Sequence, residues 1–313
     1  MTRLGLAAAV AGCLAALATG CGGAPPAAGP ATPAPAASGP SAAGTSAAGA
    51  SAGGAIPAAK VPAPAHIVLV VMENHAYGEI IGNPAAPFIN ALARQGALFT
   101  RSFAVTHPSE PNYLALFSGS LQGVGDDSCP HTFAAPNLAA DLAAAGKTFT
   151  GYAEGLPAAG SPVCVLGSYA RKHVPWANFA NVPAAASQPF SRFPGSRPAA
   201  LPAVSWVIPD LCDDMHDCAV ATGDSWLRRH LGGYAHWAMT HHSLLIVTWD
   251  EDDGSAANHI PTVFAGQAVE PGTYRQRITH YNVLATIEAA YHLRRDGQAA
   301  TAAPITGIWA AAR

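Results

Sequence analysis

From His66 onward the sequence predicts an α/β fold, a three-layer α/β/α sandwich with a mostly parallel central sheet. Two observations carry this. Apolar, β-branched runs such as Ile67-Val68-Leu69-Val70-Val71 and Leu244-Leu245-Ile246-Val247 contain no polar alternation, so they read as strands buried on both faces. Helix-compatible segments separate these runs, which gives the strand and helix alternation of a parallel sheet covered on two sides.

The elements follow in order. Residues 66–72 form a strand that stops at the polar cluster Glu73-Asn74-His75. Residues 87–95 read as a helix with Gly96 as its C-cap. Residues 97–105 are a second strand, leading into the polar turn Thr106-His107-Pro108-Ser109-Glu110-Pro111-Asn112-Tyr113 and an apolar helix. Ser109 takes the N-cap position there, and Pro111 falls in the first turn, where its missing N–H costs nothing. A hydroxyl at a helix start is placed to meet a phosphate, because free amides and the helix dipole favour anions. Residues 137–145 form a helix closed by Gly146, and residues 147–152 a strand. The Pro-, Gly- and Ser-rich stretch 153–202 reads as long loops over the active face. Strands at 204–208, 243–249 and 260–265 and helices at 223–239 and 280–291 complete the pattern, with no internal repeat.

The first part of the chain is not fold. Residues 1–20 combine Arg3 with an Ala/Leu/Val run, a secretory signal too short and Ala-rich for a membrane span. Small residues before Cys21 are similar to a bacterial lipobox, in which the signal is cleaved and the cysteine lipidated. Cys13 fits the same pattern with a shorter apolar region, and ordinary secretion is the alternative. Residues 21–65 are Ala, Pro, Gly, Ser and Thr with almost nothing else, and Lys60 is their only charge. That composition predicts a disordered tether, with the catalytic domain at 66–313. The expected location is the cell envelope, as a lipoprotein or a secreted protein, and the expected state is a monomer. A formal net charge of −3 with no basic stripe excludes nucleic acid as a partner. Cys129, Cys164, Cys212 and Cys218 form an even set, which in an exported protein favours two disulfides. Cys212 with Cys218 could bridge a loop, leaving Cys129–Cys164. The other two pairings stay open, and a zinc site is the runner-up, weakened by the absence of C-x-x-C spacing.

The strand ends hold the chemistry. Glu73-Asn74 follow the first strand, Asp210 with Asp213, Asp214 and His216 follow the strand at 204–208, and Asp250-Glu251 follow the strand at 243–249. Ligands of open α/β sheets bind beyond the carboxyl ends of strands, so these groups should converge. Glu73, Asn74, Asp250 and Glu251 are hard oxygen ligands whose mutual repulsion one divalent cation would resolve, with Mg, Mn or Ca suited to such a shell. Ser109 beside that cation would be acidified into a nucleophile, and His107, His173, His216 and His259 lie on the loops where a general acid is needed. His280, at a helix start, reads equally as a cap or as a support behind the site, whereas His230, His236, His241 and His242 flank a helix and read as structural or exposed.

The blocks 66–75, 106–113, Pro209-Asp210-Leu211-Cys212-Asp213-Asp214-Met215-His216-Asp217, Thr248-Trp249-Asp250-Glu251 and Asn258-His259-Ile260-Pro261 resemble, in order, those of the bacterial phosphoesterase family of acid phosphatases and phospholipases C. That family is similar to the alkaline phosphatase superfamily. The resemblance implies an α/β/α sandwich with a metal-assisted Ser or Thr nucleophile, and Glu73, Asn74, Ser109, Asp250 and Glu251 around the metal. It also implies Asp214, His216, His173 and His259 near the phosphate. His107, Asn112, Asp210 and His280 form a second tier of candidate site residues. The spacing from Ser109 to Gly119 resembles that after the nucleophile of related nucleotide phosphodiesterases, which favours Ser109 over Thr106. Asp210 stands where many relatives carry Asn, and the chain lacks the added C-terminal domains of the phospholipase C branch. The expectation is therefore an acid-phosphatase-like phosphomonoesterase with a phosphoseryl intermediate. A phosphodiesterase or phospholipase C acting on lipid head groups is the enzymatic alternative. A surface lipoprotein that only binds a phosphorylated ligand is the alternative outside enzymes.

Overall fold

The computed structural model describes residues 61–255 and 257–311. The expected leader, Cys21 and all but the last five residues of the expected tether lie outside the described residues. Those last residues already pack on the domain: Val61 is buried, and the Tyr291 hydroxyl donates to the Pro64 carbonyl at 3.0 Å.

In chain order the strands are β1 (His66–Met72), β2 (Ala97–Phe99), β3 (Ser102–Phe103), β4 (Phe149–Ala153), β5 (Val165–Leu166), β6 (Tyr169–Ala170), β7 (Ser187–Pro189), β8 (Val204–Ile208), β9 (Ser243–Trp249), β10 (Thr262–Gly266), β11 (Gly272–Tyr274) and β12 (Ile278–Thr279). The helices are α1 (Tyr77–Ile80), α2 (Pro87–Gln95), α3 (Ser109–Ser118), α4 (Leu138–Ala144), α5 (Val220–Ala238) and α6 (His280–Ala290). Eight strands make one sheet in the order β11-β2-β10-β9-β1-β8-β4-β7. Pairing is parallel throughout except for β10, which runs antiparallel to both β9 and β2.

The apolar runs explain the layers. In β1, Ile67, Leu69 and Val71 enter the core under α3, α4 and α6, while Val68, Val70 and Met72 enter the core under α2 and α5. β9 divides in the same way, with Leu244 and Ile246 on one side and Leu245, Val247 and Trp249 on the other. A strand with both faces in hydrocarbon favours apolar side chains at successive positions, which is why these segments read as apolar runs; the buried Thr248 of β9 is satisfied by the Thr262 hydroxyl at 2.8 Å. Each such Val, Leu or Ile contributes about 1.5–3 kcal/mol by leaving water, and together they fix the register of the two central strands.

Several boundaries differ from the expectation. Gly96 is not a left-handed C-cap; its backbone is extended, and a Cβ there would lie 2.2 Å from the Phe264 carbonyl oxygen, so the glycine serves close strand packing. The strand expected at 97–105 breaks into β2 and β3 around a turn. The fifth helix starts three residues early, at Val220, and the last sheet strand before β11 begins at Thr262. The stretch 153–202 is largely loop but contributes β5, β6, the edge strand β7 and short 3-10 turns. Disulfides join Cys129 to Cys164 and Cys212 to Cys218.

Candidate active site

Parallel register sets the site. β1 pairs with β9 through Met72 opposite Trp249, so the residues that follow, Glu73-Asn74 and Asp250-Glu251, leave the sheet level with each other. The Asp250 amide donates to the Met72 carbonyl at 3.0 Å, and the Glu73 amide to the Asp214 carbonyl at 2.9 Å, which draws the loop after β8 to the same end. Asn74 then takes a left-handed backbone, φ 50°, a conformation that asparagine tolerates better than most residues. Its amide donates to Asp250 Oδ1 at 3.3 Å.

Ser109 arrives from α3. It is the first residue of that helix rather than its N-cap; Pro108 takes the cap position and Ser109 makes no capping bond. The hydroxyl is therefore free to point at the carboxylates, donating toward Glu251 Oε1 at 2.9 Å and Glu73 Oε2 at 3.2 Å. The helix amides are not all open to a ligand, because the Glu110 amide is taken by Asp127 Oδ1 at 2.9 Å. Asn112 holds the turn in shape: its Oδ1 accepts from the Val105 and Thr106 amides, and its Nδ2 donates to the Thr106 and Pro108 carbonyls.

Glu73 is the hub. It is wholly buried, with Oε2 toward Ser109 and Oε1 shared between the Tyr113 hydroxyl and His173 Nε2, which lies 3.2 Å away. His173 Nδ1 lies 3.4 Å from Asp214 Oδ2, and the Tyr113 ring stacks on the imidazole at 5.0 Å. Tyr113 was invisible as a site residue in the sequence, where it opens an apolar helical run. One turn of helix after Ser109 puts it on the same face, and that spacing is the signal that could have found it. Lys172 was also missed. It pairs with Asp127 at 2.8 Å, and its charge reaches Glu73 and Asp250.

Four buried carboxylates, Glu73, Asp214, Asp250 and Glu251, thus share one strand-end site. Burial first, then their neighbours' charge, holds Glu73 and Asp250 well above the usual carboxylate range. Burial also raises Asp214 and Glu251. Burial, then the charges of Lys172 and His216, pushes His173 well below an ordinary imidazole. Asn74 Oδ1, Asp214 Oδ2 and Asp250 Oδ2 are buried without a hydrogen-bond partner. Buried acceptors in this condition cost free energy, and oxygen donors of this kind suit a hard divalent cation. Glu73, His173 and Asp214 offer ligand atoms within 4.8 Å of one another, a second reason why the residues present fit a metal ion.

The remaining candidates lie around this centre. His107 pairs through Nδ1 with Glu251 Oε2 and stands 3.5 Å from Asp252. His216 is half-exposed at the rim, where its amide donates to Asp214 Oδ1 at 2.8 Å and its ring pairs with Asp217. His259 sits farther back, stacked between Tyr77 and Phe103, with its amide bonded to Asp252 and Nε2 beside the Thr100 carbonyl. His280 is buried under β9, 3.0 Å from the Trp249 carbonyl, and burial pushes it down to about 4. Asp210 turns away from the centre: it accepts the Cys212 and Asp213 amides and gathers with Glu154 and Asp213 in a separate acidic group.

A buried serine thus faces strand-end carboxylates at one end of a mostly parallel α/β/α sheet, an alkaline phosphatase-like fold. A solved protein of the alkaline phosphatase superfamily from Vibrio parahaemolyticus superposes with a TM-score of 0.55 at 12% identity, over 78% of this chain and 74% of its own. The profile of the Phosphoesterase family matches residues 83–294. A phosphatidylinositol-3-phosphatase of Mycobacterium tuberculosis is 58% identical over 247 residues, 78% of this chain and 83% of that protein. An acid phosphatase of Aspergillus fumigatus is 30% identical over 66% of this chain, which spans about half, 51%, of that relative's length. The chain belongs to the Phosphoesterase family, and with it to the hydrolases of phosphoric esters.

Proposed function

We propose that the chain hydrolyses phosphate monoesters through a phosphoseryl intermediate on Ser109. The observation that carries this reading is the Ser109 hydroxyl, 1% exposed, between Glu73 and Glu251 and beside acceptor atoms that have no partner. Ser109 Oγ attacks phosphorus as the bond to the ester oxygen breaks, and its proton passes to the carboxylate it already faces. His216, at the rim, gives a proton to the departing alkoxide. Water then attacks the phosphoserine, releasing phosphate and restoring the hydroxyl, with His216 taking the water's proton. Glu73, Asn74, Ser109, Asp250 and Glu251 would hold one divalent cation. When bound, it would compensate their charge and lower the hydroxyl pKa. His173, fixed by Asp214 and Tyr113, keeps Glu73 in place, and His259 and His107 steady the Asp250–Asp252 segment.

The relatives' names favour one ester bond over two, and the relative at 58% identity favours a phosphorylated inositol lipid as the substrate. A cleaved leader at 1–20, a lipid on Cys21, a tether that ends before the packed residue Val61 and a monomeric catalytic domain at the cell envelope complete the proposal. Turnover of an aryl phosphate, an aryl phosphodiester and a dispersed short-chain phosphatidylinositol phosphate tests the reading. The monoesters should turn over and the diester should not, and exhaustive chelation should abolish turnover. Preference for the diester, or chelation without effect, would contradict it.

A further inference from the structure

The exposed large apolar side chains among the described residues are Val165 and Leu166, at 65% and 50% exposure. They are adjacent, and together form β5, the outer strand of a hairpin whose return strand β6 pairs Leu166 with Tyr169 and Val165 with Ala170. Its tip is Gly167-Ser168, and residues 163–170 carry no charge. The hairpin is held firmly. Cys164 is bridged to Cys129, Tyr169 is buried in the core, and the Arg171 guanidinium donates to the Pro162 and Ala177 carbonyls.

Its position matters more than its composition. The chain that leaves β6 reaches His173, beside Glu73 and Asp214, within three residues. At the tip, the Ser168 carbonyl accepts the Leu211 amide at 3.0 Å, three residues before Asp214. The hairpin is therefore tied on one side to the segment that carries His173 and on the other to the loop that carries Asp214.

We infer that Val165 and Leu166 are an interfacial anchor that dips into a lipid bilayer and brings the site mouth to phosphorylated headgroups. The inference rests on the lipid-phosphate reading above and adds how the enzyme meets its substrate. Two side chains are far too small for a stable protein interface, which buries roughly 1,200 Å² or more. They suffice for shallow partition at the headgroup boundary, where each buried CH₂ adds about 0.8 kcal/mol. The cations that follow are turned inward: Arg171 is buried, and Lys172 is paired with Asp127. The docking is therefore apolar and depends weakly on salt or on anionic lipid.

The test uses the full chain with Cys21→Ala in every arm, so that no acyl chain there enters the readout. Sedimentation with phosphatidylcholine vesicles, with and without phosphatidylinositol 3-phosphate, is compared for this parent and for Val165→Ser/Leu166→Ser. Both substitutions are at exposed positions, so the fold is retained. The pair should lower vesicle binding and vesicle-lipid turnover about tenfold, while turnover of an aryl phosphate and of dispersed short-chain lipid stays unchanged. A Leu166→Trp variant should show a blue shift of tryptophan emission on adding vesicles, little altered by salt. Equal binding by parent and double variant, or an unshifted emission, would overturn the anchor. Hairpin-dependent binding with no turnover of either soluble monoester would support the anchor and overturn the substrate reading instead.

Discussion

Two acidic groups sit at the carboxyl end of the same sheet, and they differ in what their oxygens do. Glu154, Asp210 and Asp213 are partly exposed, and their acceptors serve the loop: the Asp210 amide donates to Glu154, and Asp210 Oδ1 takes two further amides. Glu73, Asp214, Asp250 and Glu251 are buried, and two of them keep an oxygen with no partner. The first group is a loop clasp that satisfies itself. The second is a set of carboxyls whose burial and mutual repulsion the fold leaves unrelieved, a condition that clusters at functional sites. Carboxylates after a strand are thus a weak signal alone; unmet acceptors distinguish the two groups.

Substitutions should separate them in order of size. Ser109→Ala should lower kcat/KM for an aryl phosphate about a thousandfold, about 4 kcal/mol of transition-state stabilisation. Steady-state kinetics checks this, and turnover near wild type would remove Ser109 from the chemistry. Asp250→Asn should cost about a hundredfold in turnover yet stabilise the chain against heat when no cation is added, because it relieves like-charge repulsion. The pH dependence carries the same sign. A carboxyl raised by folding adds stability below its ordinary pKa, and this is lost as pH rises through the folded value. The melting temperature of the cation-free chain should therefore fall from pH 4 upward, and less steeply in Asp250→Asn. Tyr113→Phe should lower kcat about tenfold with KM little changed, since it removes the hydroxyl that holds Glu73 but not the stacking on His173. Asp210→Asn should stay within about threefold of wild type, because the amide oxygen still accepts from Cys212 and Asp213. A large loss there would merge the two groups into one site.

The central strands and their ends were legible because burial on both faces leaves β1 and β9 with long apolar runs, residues 67–72 and 244–247, and the first carboxylates after them mark the exits. Ser109 was legible as a helix-start hydroxyl, although its freedom from capping depends on Pro108 taking the cap, a choice of backbone that composition does not show. His173 was one of four loop histidines, and only family resemblance placed it near the phosphate, since its loop has no periodicity. Tyr113 and Lys172 stayed hidden: one resembles a core aromatic, and the other acts through space from a loop whose path is set by Cys129–Cys164. The separation of Asp210 from Asp214 was also out of reach, because a turn of four residues reverses direction without changing character.

The most direct measurement is acid quenching of the chain during turnover of a phosphate monoester, followed by peptide mass analysis. A phosphoseryl intermediate gives one added phosphoryl group on the peptide that holds Ser109, localised to that residue and absent from Ser109→Ala. A phosphoryl group on Thr106 or on a histidine, or rapid turnover with no covalent phosphoenzyme at any quench time, would contradict it.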